Sequence, residues 1–452
     1  MSKQKTGSLP MWKKIAYGLG NAGGGFTWGT ITTFLLLYCT NVIGVSAAII
    51  GTLLMFAKVF DGITDIFMGR IIDLTKSKMG KTRFWYLMSC IPMGVCMFLI
   101  FNVPGSLGEG AKSAWIFIFY LLISAVFYTM NQVAYNMMLA RVTKDQHDQV
   151  TMSGAAMLSG TIGSVVVASV TSGLVEAFGG GQQGWRMIAL IYAVVGVGIL
   201  LIPFFTLKEL PEEEFDSSVR ESDTEAPAKT ATISFGRTII ELLQNKYFIL
   251  ILLLYFVGYA NSGIMQSSMA YYATYSMGNA GLMGILGMCT TIPLILGLPF
   301  MPKFIDKLGM RRACVYGAVL SVAGCIVAVF GQFTGMIILI AGLLIKALGM
   351  VPGSATYTPF LVKADEYHYQ KKGHRVTGSL FSCATVGTKI GQGLGTAICG
   401  WILTWSGFDG TAAVQTAAAN NAINFLYLGF PFIFSIITAI IYANMKVEEE
   451  IR

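Results

Sequence analysis

The chain has 452 residues, of which 54% are hydrophobic and only 12% are charged, and its formal net charge is +8. Soluble domains usually carry about a quarter charged residues, so this composition excludes a soluble globular protein and predicts an integral membrane protein. A basic excess on a membrane protein is typical of an insertion signal, so it does not indicate nucleic-acid binding.

Apolar runs separated by polar breaks predict twelve transmembrane helices and an all-α fold class. We expect two six-helix bundles, residues 1–207 and 247–452, joined by a cytoplasmic linker at 208–246 that is rich in Glu, Ser, Asp, Thr and Pro. A docked regulatory segment is the alternative for this linker. The predicted limits of the spans are 15–43, 46–73, 84–103, 113–140, 151–178, 185–206, 247–275, 281–305, 312–332, 335–362, 376–406 and 421–445.

Basic residues predict the orientation of the chain. If the even-numbered connections and both termini share one side, that side holds most of the 31 Lys and Arg residues, while the opposite side has only Lys112 and Arg186. The remaining three, Lys58, Lys346 and Lys389, lie inside predicted helices. Both termini are therefore expected in the cytoplasm, in a multi-pass protein of the cell inner (plasma) membrane.

In the first predicted helix, Tyr17, Asn21 and Trp28 occur at near-helical spacing, interrupted by the glycines 23–25. Aromatic and amide groups at one level suit a sugar-like solute, and three glycines permit bending or the close approach of another backbone. Helix packing with an interfacial Trp is an equally good interpretation.

The second predicted helix carries three charges in an apolar run, Lys58, Asp61 and Asp65 at i, i+3 and i+7. They share one helical face, and each costs roughly 2.5–3.5 kcal/mol at a bilayer centre. Because the two carboxylates repel each other, we expect a positive neighbour, supplied by Lys58 together with a bound Na⁺ or a proton. Thr64 adds a hydroxyl oxygen, which is a ligand that hard cations prefer. The alternative is a purely structural Lys–Asp–Asp network.

The fourth predicted helix places Thr129, Gln132 and Asn136 on one face, with Tyr135 beside them. A hydroxyl and two amides can ligate a cation and hydrogen-bond a polar solute, while Tyr supplies an apolar wall with a polar tip. Hydrogen bonding between helices is the alternative.

Toward the C terminus, the eleventh predicted helix carries Thr385, Lys389 and Gln392 at i, i+4 and i+7. Lys389 lies in mid-span, so we expect it to face a polar lumen or a carboxylate from the other half. Lys346 in the tenth helix is similar, although it could instead snorkel toward the membrane surface. The segment 363–375 is predicted to be a cytoplasmic loop, either a salt-bridged gate or a solvated connection.

A short motif occurs once in each half. Phe67-Met-Gly-Arg-Ile-Ile-Asp73 precedes Gly80-Lys-Thr-Arg83, and Phe300-Met-Pro-Lys-Phe-Ile-Asp306 precedes Gly309-Met-Arg-Arg312. This repeat resembles the loop between helices 2 and 3 of the major facilitator superfamily. Parallel halves around a central site are the architecture that such a repeat predicts.

The chain resembles, essentially from end to end, the glycoside–pentoside–hexuronide cation symporter family, whose members include the melibiose carrier. The stretches that carry the resemblance are Tyr17-Gly-Leu-Gly20, Tyr38-Cys-Thr-Asn-Val-Ile-Gly44, Lys58-Val-Phe-Asp-Gly-Ile-Thr-Asp65, Gly373-His-Arg-Val-Thr-Gly378 and Lys389-Ile-Gly391. The resemblance implies that Asp61 and Asp65 ligate the coupling cation, that Thr129 completes its site, and that Lys389 is functional.

The sequence departs from the melibiose carrier where that protein grips its sugar. The acidic positions of helices 1 and 4 are here Gly25 and Gln132, and the position of a helix-4 Trp is Asn136. The Arg of helix 5 in that carrier has no counterpart here, because residues 151–175 contain no charged residue. The resemblance therefore implies a retained cation site and a different sugar site, which argues against melibiose itself as the solute.

The sequence predicts a symporter that couples Na⁺ or H⁺ to the uptake of a glycoside, pentoside or hexuronide. Three lysines against two aspartates favour an acidic sugar. A carrier of lipid-like or other non-sugar solutes and a non-transporting solute sensor are the alternatives. We expect a monomer in the lipid bilayer that binds no nucleic acid. We also expect no cofactor, because no Cys or His spacing suits a metal and no catalytic motif is present.

Overall fold

The computed structural model describes residues 9–210, 242–373, 377–412 and 414–450, and these ranges contain helices but no β-strand. Twelve long helices occupy them, several continued by a π-helical or 3₁₀ turn. They are α1 Met11–Ile43, α2 Ala47–Leu74, α3 Lys81–Ile100, α4 Glu109–Val142, α5 Gln146–Ala177, α6 Gly181–Thr206, α7 Lys246–Ser276, α8 Ala280–Leu308, α9 Met310–Thr334, α10 Met336–Lys372, α11 Thr377–Trp405 and α12 Ala417–Glu450.

Each predicted span corresponds to one of these helices, and most ends agree within a few residues. The largest difference is in α10, which continues to Lys372 rather than ending at 362. The prediction of a loop at 363–375 is therefore wrong for residues 363–372, and its residues 374 and 375 lie outside the described residues. These residues are polar but helix-forming, with an i, i+3 ion pair between Lys363 and Glu366 (3.1 Å), and the helix ends at Gly373 in the left-handed conformation.

Eleven of the helices in the described ranges are long and apolar enough to cross a membrane. The remaining one, α11, has 29 residues, which is sufficient length, but its middle contains Lys389 and Gln392 among several Gly and Thr. Its lower hydropathy follows from those polar residues, which is expected of a helix that faces a protein interior rather than lipid.

The described chain forms two compact units. One contains residues 9–38, 42–45 and 63–210, and the other contains 39–41, 46–62 and 242–450. Helix α2 passes from the second unit into the first between Gly62 and Ile63. The boundary between the units in the middle of the chain lies outside the described residues, as does most of the predicted linker, so the domain limits stay a prediction.

In the first unit, the glycines of α1 permit close approach rather than a bend. A Cβ added to Gly23 would lie 2.8 Å from the main-chain nitrogen of Leu200 on α6, and one added to Gly25 would lie 3.1 Å from the carbonyl oxygen of Gly160 on α5. Helix α1 remains α-helical through this stretch. The glycine cluster therefore lets two neighbouring helices pack against the α1 backbone.

The second unit uses the same device between α9 and α10. A Cβ on Gly324 would lie 2.2 Å from the main-chain nitrogen of Lys346, and a Cβ on Gly342 would lie 2.3 Å from that of Ala328. No larger residue fits either position without moving a backbone. This contact fixes the depth at which Lys346 is held inside the unit.

In each unit, the helix that follows the repeated motif begins at a carboxylate from a distant part of the chain, which accepts hydrogen bonds from its first main-chain nitrogens. At the start of α3, Glu209 Oε1 accepts hydrogen bonds from the main-chain nitrogens of Thr82 (2.9 Å) and Arg83 (2.8 Å) and from Thr82 Oγ1 (2.6 Å). Gly80, with φ 100°, leaves space for the Glu209 carboxylate, because a Cβ added at this position would lie 2.5 Å from the same oxygen. The residues after α6 are thereby tied to the start of α3.

At the start of α9, Glu448 plays the corresponding part. Its Oε2 accepts a hydrogen bond from the main-chain nitrogen of Arg311 (3.2 Å), next to Gly309 at φ 79°. The Arg311 guanidinium donates to the carbonyl oxygen of Ala443 (2.7 Å) and forms an ion pair with Glu449 (2.5 Å). The end of α12 is thus tied to α9 as the residues after α6 are tied to α3.

Candidate functional site

Asp61 on α2 is the centre of a buried ion cluster in the second unit. Its side chain is almost fully buried, and each carboxylate oxygen faces a different lysine. Lys389 Nζ on α11 lies 2.7 Å from Oδ1 and also donates to the Asp61 carbonyl oxygen (3.1 Å). Lys58 Nζ, one turn earlier on α2, lies 3.2 Å from Oδ2. The mid-span lysine therefore meets a carboxylate, as the cost of burying its charge predicts.

Close packing of α2 on α11 sets this geometry. A Cβ on Gly393 would lie 2.8 Å from Lys58 Cβ, and one on Gly51 would lie 3.1 Å from Ala397 Cα. Farther along, Trp401 Nε1 donates to Thr52 Oγ1 (2.8 Å). Small residues on both helices bring the backbones together, so the lysine stems run alongside α2 and their ammonium groups converge on one carboxylate.

The cluster carries one negative and two positive charges, so it has a net charge of +1 when all three groups are ionised. Desolvation of Asp61 is offset by two charge-assisted contacts, whereas Lys389 keeps 18% of its side chain exposed. Lys58 is more deeply buried, at 8%. Lys389 is therefore the partner that can leave Asp61 at lower desolvation cost.

The other proposed cation ligands belong to the first unit. Thr64 and Asp65 on α2 are partly buried, and Thr129 on α4 is buried with its hydroxyl donating to the carbonyl oxygen of Ser124 (3.2 Å). Asp61 belongs to the second unit, so neither unit by itself contains all four groups. The four-residue cation site stays a prediction. In the described ranges, no group of three or more His, Cys, Asp or Glu residues is placed to hold a metal ion.

Part of the predicted solute site forms an aromatic surface in the first unit. The Trp28 ring stacks on Tyr128 with centroids 4.5 Å apart and lies 6.0 Å from Tyr120. Gln132 Nε2 donates to Tyr128 Oη (2.8 Å). Asn21 lies near this face but donates to the carbonyl oxygen of Ala156 on α5 (2.9 Å). Trp28 and Gln132 are thus brought together around Tyr128.

Tyr17 and Tyr135 are placed differently. Their rings stack at 4.3 Å, and each hydroxyl donates to the other residue's carbonyl oxygen, at 3.1 Å from Tyr17 and 2.7 Å from Tyr135. Both are buried. This reciprocal arrangement gives them a packing role between α1 and α4, and a role in solute binding stays untested. Asn136, one residue farther, is exposed.

In the second unit, the remaining predicted solute ligands lie on α11. Thr385 is exposed, and Gln392 Nε2 lies 3.5 Å from Gln266 Oε1 on α7. Lys346 is buried at 2% exposure, so the interpretation that it snorkels to the membrane surface is wrong. The glycine contacts between α9 and α10 hold it in the interior instead.

Sequence reasoning missed Tyr120 and Gln266. A π-helical turn at Leu122–Tyr128 inserts an extra residue into α4 and changes which side chains share a face. This turn lies between Tyr120 and Tyr128, whose rings both stack on the Trp28 ring. Gln266 had a weak signal, as an amide inside an apolar helix.

The comparisons with known proteins agree with this architecture. The family described as MFS/sugar transport protein matches residues 16–449. The chain is 27% identical to the isoprimeverose transporter of Lactiplantibacillus pentosus, covering 98% of this chain and 90% of that protein. It is 25% identical to a putative glycoside/cation symporter, YagG, of Escherichia coli K12 (97% and 90% covered) and 22% identical to that strain's glucuronide carrier protein homolog (93% and 92%).

Solved structures support the fold. A bacterial homolog of the human lysosomal transporter Spinster, in an inward-facing and unoccupied conformation, superposes with a TM-score of 0.73 at 14% identity, covering 99% of both chains. The D323A mutant of the nucleoside transporter NupG superposes with a TM-score of 0.66 at 15% identity, covering 96% of this chain and 99% of that one. At such low identity the likeness establishes the fold alone.

Proposed function

Because the chain belongs to the MFS/sugar transport family, we propose that it is a symporter that couples Na⁺ or H⁺ to the import of a glycoside, pentoside or hexuronide, with a preference for an acidic sugar. As a member of this family it is a multi-pass membrane transporter with the major facilitator fold and not an enzyme. Cation coupling and the acidic solute are the parts that the proposal adds.

The observation that carries the proposal is the pairing of one buried carboxylate with two lysines. Asp61 is neutralised by Lys58 and Lys389 when no other cation is bound. A Na⁺ or a proton at Asp61 takes over the charge balance, so one ammonium group must leave. Lys389 has the more exposed side chain, and its Nζ already donates to a second acceptor, the Asp61 carbonyl oxygen (3.1 Å). Binding of the cation therefore exposes Lys389.

The released lysine gives the coupling a chemical basis. An ammonium group without its carboxylate attracts an anion, and an acidic sugar brings one. Cation and solute then stabilise the same arrangement, and each raises the affinity of the other, typically by about 1–3 kcal/mol. The glucuronide named for one relative has such a carboxylate, whereas the isoprimeverose named for another does not.

The stacked Trp28 and Tyr128 supply a complementary feature for any of these solutes. An aromatic face packs against the apolar C–H surface of a sugar ring. Gln132, which lies beside Tyr128, can donate hydrogen bonds to the hydroxyls of the sugar or accept hydrogen bonds from them. The same groups suit neutral and acidic sugars alike. Discrimination between the two therefore depends on Lys389 in this proposal.

Purified protein in proteoliposomes tests the proposal with a panel of labelled solutes, neutral glycosides and hexuronides, under an imposed Na⁺ or pH gradient. We expect accumulation of at least one sugar, preferential competition by anionic sugars, and about a tenfold loss of that preference in Lys389→Met. Lys303→Met removes an exposed lysine and serves as the matched control. Competition by neutral glycosides alone would contradict the acidic preference, and equilibration of the sugar without accumulation under either gradient would contradict coupling.

A further inference from the structure

A cavity at one end of the first unit is lined mainly by polar and basic side chains. It measures about 450 Å³ and lies where the α2–α3 connection, the end of α4 and the residues after α6 meet. Cavities of this size are typical of small-molecule sites in proteins. The lining has a net charge of +4, because it contains five basic residues and one acidic residue, which are Lys78, Lys81, Arg83, Arg141, Lys208 and Glu209.

The single acid of this lining is already engaged at the start of α3. Its Oε1 accepts hydrogen bonds from the main-chain nitrogens of Thr82 and Arg83, and its Oε2 accepts one from that of Lys81 (3.2 Å). Arg141 Nη1 lies 3.7 Å from Glu209 Oε2, which is a long ion pair. Glu209 therefore mainly offsets the positive end of the α3 dipole, and it leaves most of the positive charge of the cavity without a counter-charge.

Two of the lysines have no carboxylate partner in the described part of the chain. Lys78 precedes α3 and Lys208 follows α6, and both are exposed. Neither forms an ion pair with a described carboxylate. Scattered lysines are ordinary at the end of a bundle that is predicted to be cytoplasmic. These two differ because they line the same cavity from separate segments, so an anionic group in that cavity attracts both ammonium groups.

Arg83 supplies a positive charge that is fixed in place. Its Nη2 donates to the carbonyl oxygen of Phe204 (2.6 Å), and its Nη1 donates to that of Met79 (3.3 Å). The guanidinium carbon lies 4.7 Å from the centroid of the Phe204 ring. Carbonyl oxygens and an aromatic ring hold a guanidinium without bringing a full negative charge. The cavity thus combines one oriented guanidinium with the flexible ammonium groups of Lys78 and Lys208.

Exposed apolar side chains border the cavity. Phe205 is 73% exposed, and its ring lies 5.2 Å from that of Phe204, which holds Arg83. Met79 lines the cavity and is 40% exposed. A ligand with an anionic head and an apolar tail finds a suitable surface for each part here. A small soluble anion uses only the charged part.

We propose that the cavity binds the phosphate group of an anionic membrane phospholipid, whose acyl chains lie against exposed apolar side chains such as Phe205. The ammonium groups of Lys78 and Lys208 contact the phosphate oxygens, and the fixed guanidinium of Arg83 adds to the attraction. Basic pockets between transmembrane helices on the cytoplasmic side are typical headgroup sites. The bound lipid links the α2–α3 connection with the residues after α6, and it stabilises the folded state because it binds no unfolded chain.

Native mass spectrometry of the full-length protein in detergent measures phosphatidylglycerol binding without any sugar. Lys78→Gln combined with Lys208→Gln should raise the apparent Kd about 10–30-fold, the change expected for the loss of two headgroup contacts. The matched control, Lys303→Gln combined with Lys307→Gln, removes two exposed lysines that do not line the cavity. It should stay within about threefold of the wild type. Equal Kd values for the two double variants would overturn the site.

Other ligands identify the source of the phosphate. Phosphatidylcholine carries a phosphate but no net charge, so it should bind at least about tenfold more weakly than phosphatidylglycerol. Equal affinity for the two lipids would overturn the preference for an anionic lipid. Inorganic phosphate at millimolar concentration should leave the bound phosphatidylglycerol in place. Displacement of the lipid by phosphate would overturn the lipid as the occupant.

Thermal unfolding provides a second readout. Phosphatidylglycerol should raise the melting temperature of the wild type and of the Lys303, Lys307 control, and it should have little effect on the variant that lacks Lys78 and Lys208. An equal rise in all three proteins would overturn the proposal. Residues Glu212–Glu214 follow the cavity lining in the sequence and would compete for its lysines. Changing all three to Gln should leave lipid binding as strong or stronger, and weaker binding would contradict an anion site.

No sugar and no ion gradient enter these measurements. Their outcomes therefore do not depend on whether the proposed symport is right.

Discussion

Removal of the Asp61 carboxylate should be the most damaging single change in the ion cluster. In Asp61→Asn, two ammonium groups remain in the interior of the second unit, with an amide in place of their shared counter-charge. Breaking a buried ion pair by removing one partner typically costs about 3–5 kcal/mol. Because 18% of the Lys389 side chain is exposed, that lysine can turn partly toward solvent, so we expect the lower end, about 3 kcal/mol.

Lys389→Met should cost less, about 1–2 kcal/mol, because Asp61 keeps its contact with Lys58. In the double variant, Asp61→Asn with Lys389→Met, one buried ammonium remains rather than two. The damage should therefore be smaller than the sum of the single changes, with a coupling energy of about 1–3 kcal/mol.

Thermal unfolding of the purified variants, followed by intrinsic fluorescence in one detergent, measures this double-mutant cycle. Glu109→Gln, the same acid-to-amide change at an exposed position, controls for the chemistry of the substitution. If the effects of Asp61→Asn and Lys389→Met add within about 0.5 kcal/mol, the two side chains do not interact and the cluster is not the structural centre described here.

Three further changes test the packing and the solute surface. Glu209→Gln should lower stability by about 1.5 kcal/mol, because charge-assisted bonds to the α3 N terminus are lost; unchanged thermal unfolding would contradict that cap. Trp28→Ala should weaken sugar affinity about 3–10-fold in a binding titration, whereas Trp12→Ala, 57% exposed, should not; equal effects would remove Trp28 from the site. Gly324→Ala should destabilise the protein by about 1–3 kcal/mol. Gly287→Ala, inside α8 with open space around it, should keep or slightly raise the melting temperature, and equal values for the two variants would refute the close α9–α10 contact.

Much of the fold was predictable because a membrane limits the choice of structure to long apolar helices. The spans, their order and the repeated motif that contains Asp73 in one half and Asp306 in the other all follow from hydropathy and charge. The end of α10 did not, since residues 363–372 remain helical after leaving the apolar run. Hydropathy reports where lipid ends, and helix ends depend on local propensity and on a stop such as Gly373.

Individual contacts were harder to predict than elements. The i, i+3 spacing of Lys58 and Asp61 predicted their contact, because a helix fixes it locally. The partner of Lys389 could be predicted only as a carboxylate, since its identity depends on how α2 packs against α11. Helical spacing likewise placed Tyr17 and Tyr135 beside polar neighbours, but it could not tell that their hydroxyls bond to each other's backbone.

The most direct test of the account is the ratio of internal to external sugar at steady state in proteoliposomes under an inward Na⁺ or pH gradient. We compare Asp61→Asn with the wild type and with the Glu109→Gln control. The account predicts that wild type and control concentrate the sugar, whereas Asp61→Asn only equilibrates it or does not move it. Full accumulation by Asp61→Asn against its gradient would contradict the claim that neutralisation of this carboxylate couples the cation to the solute.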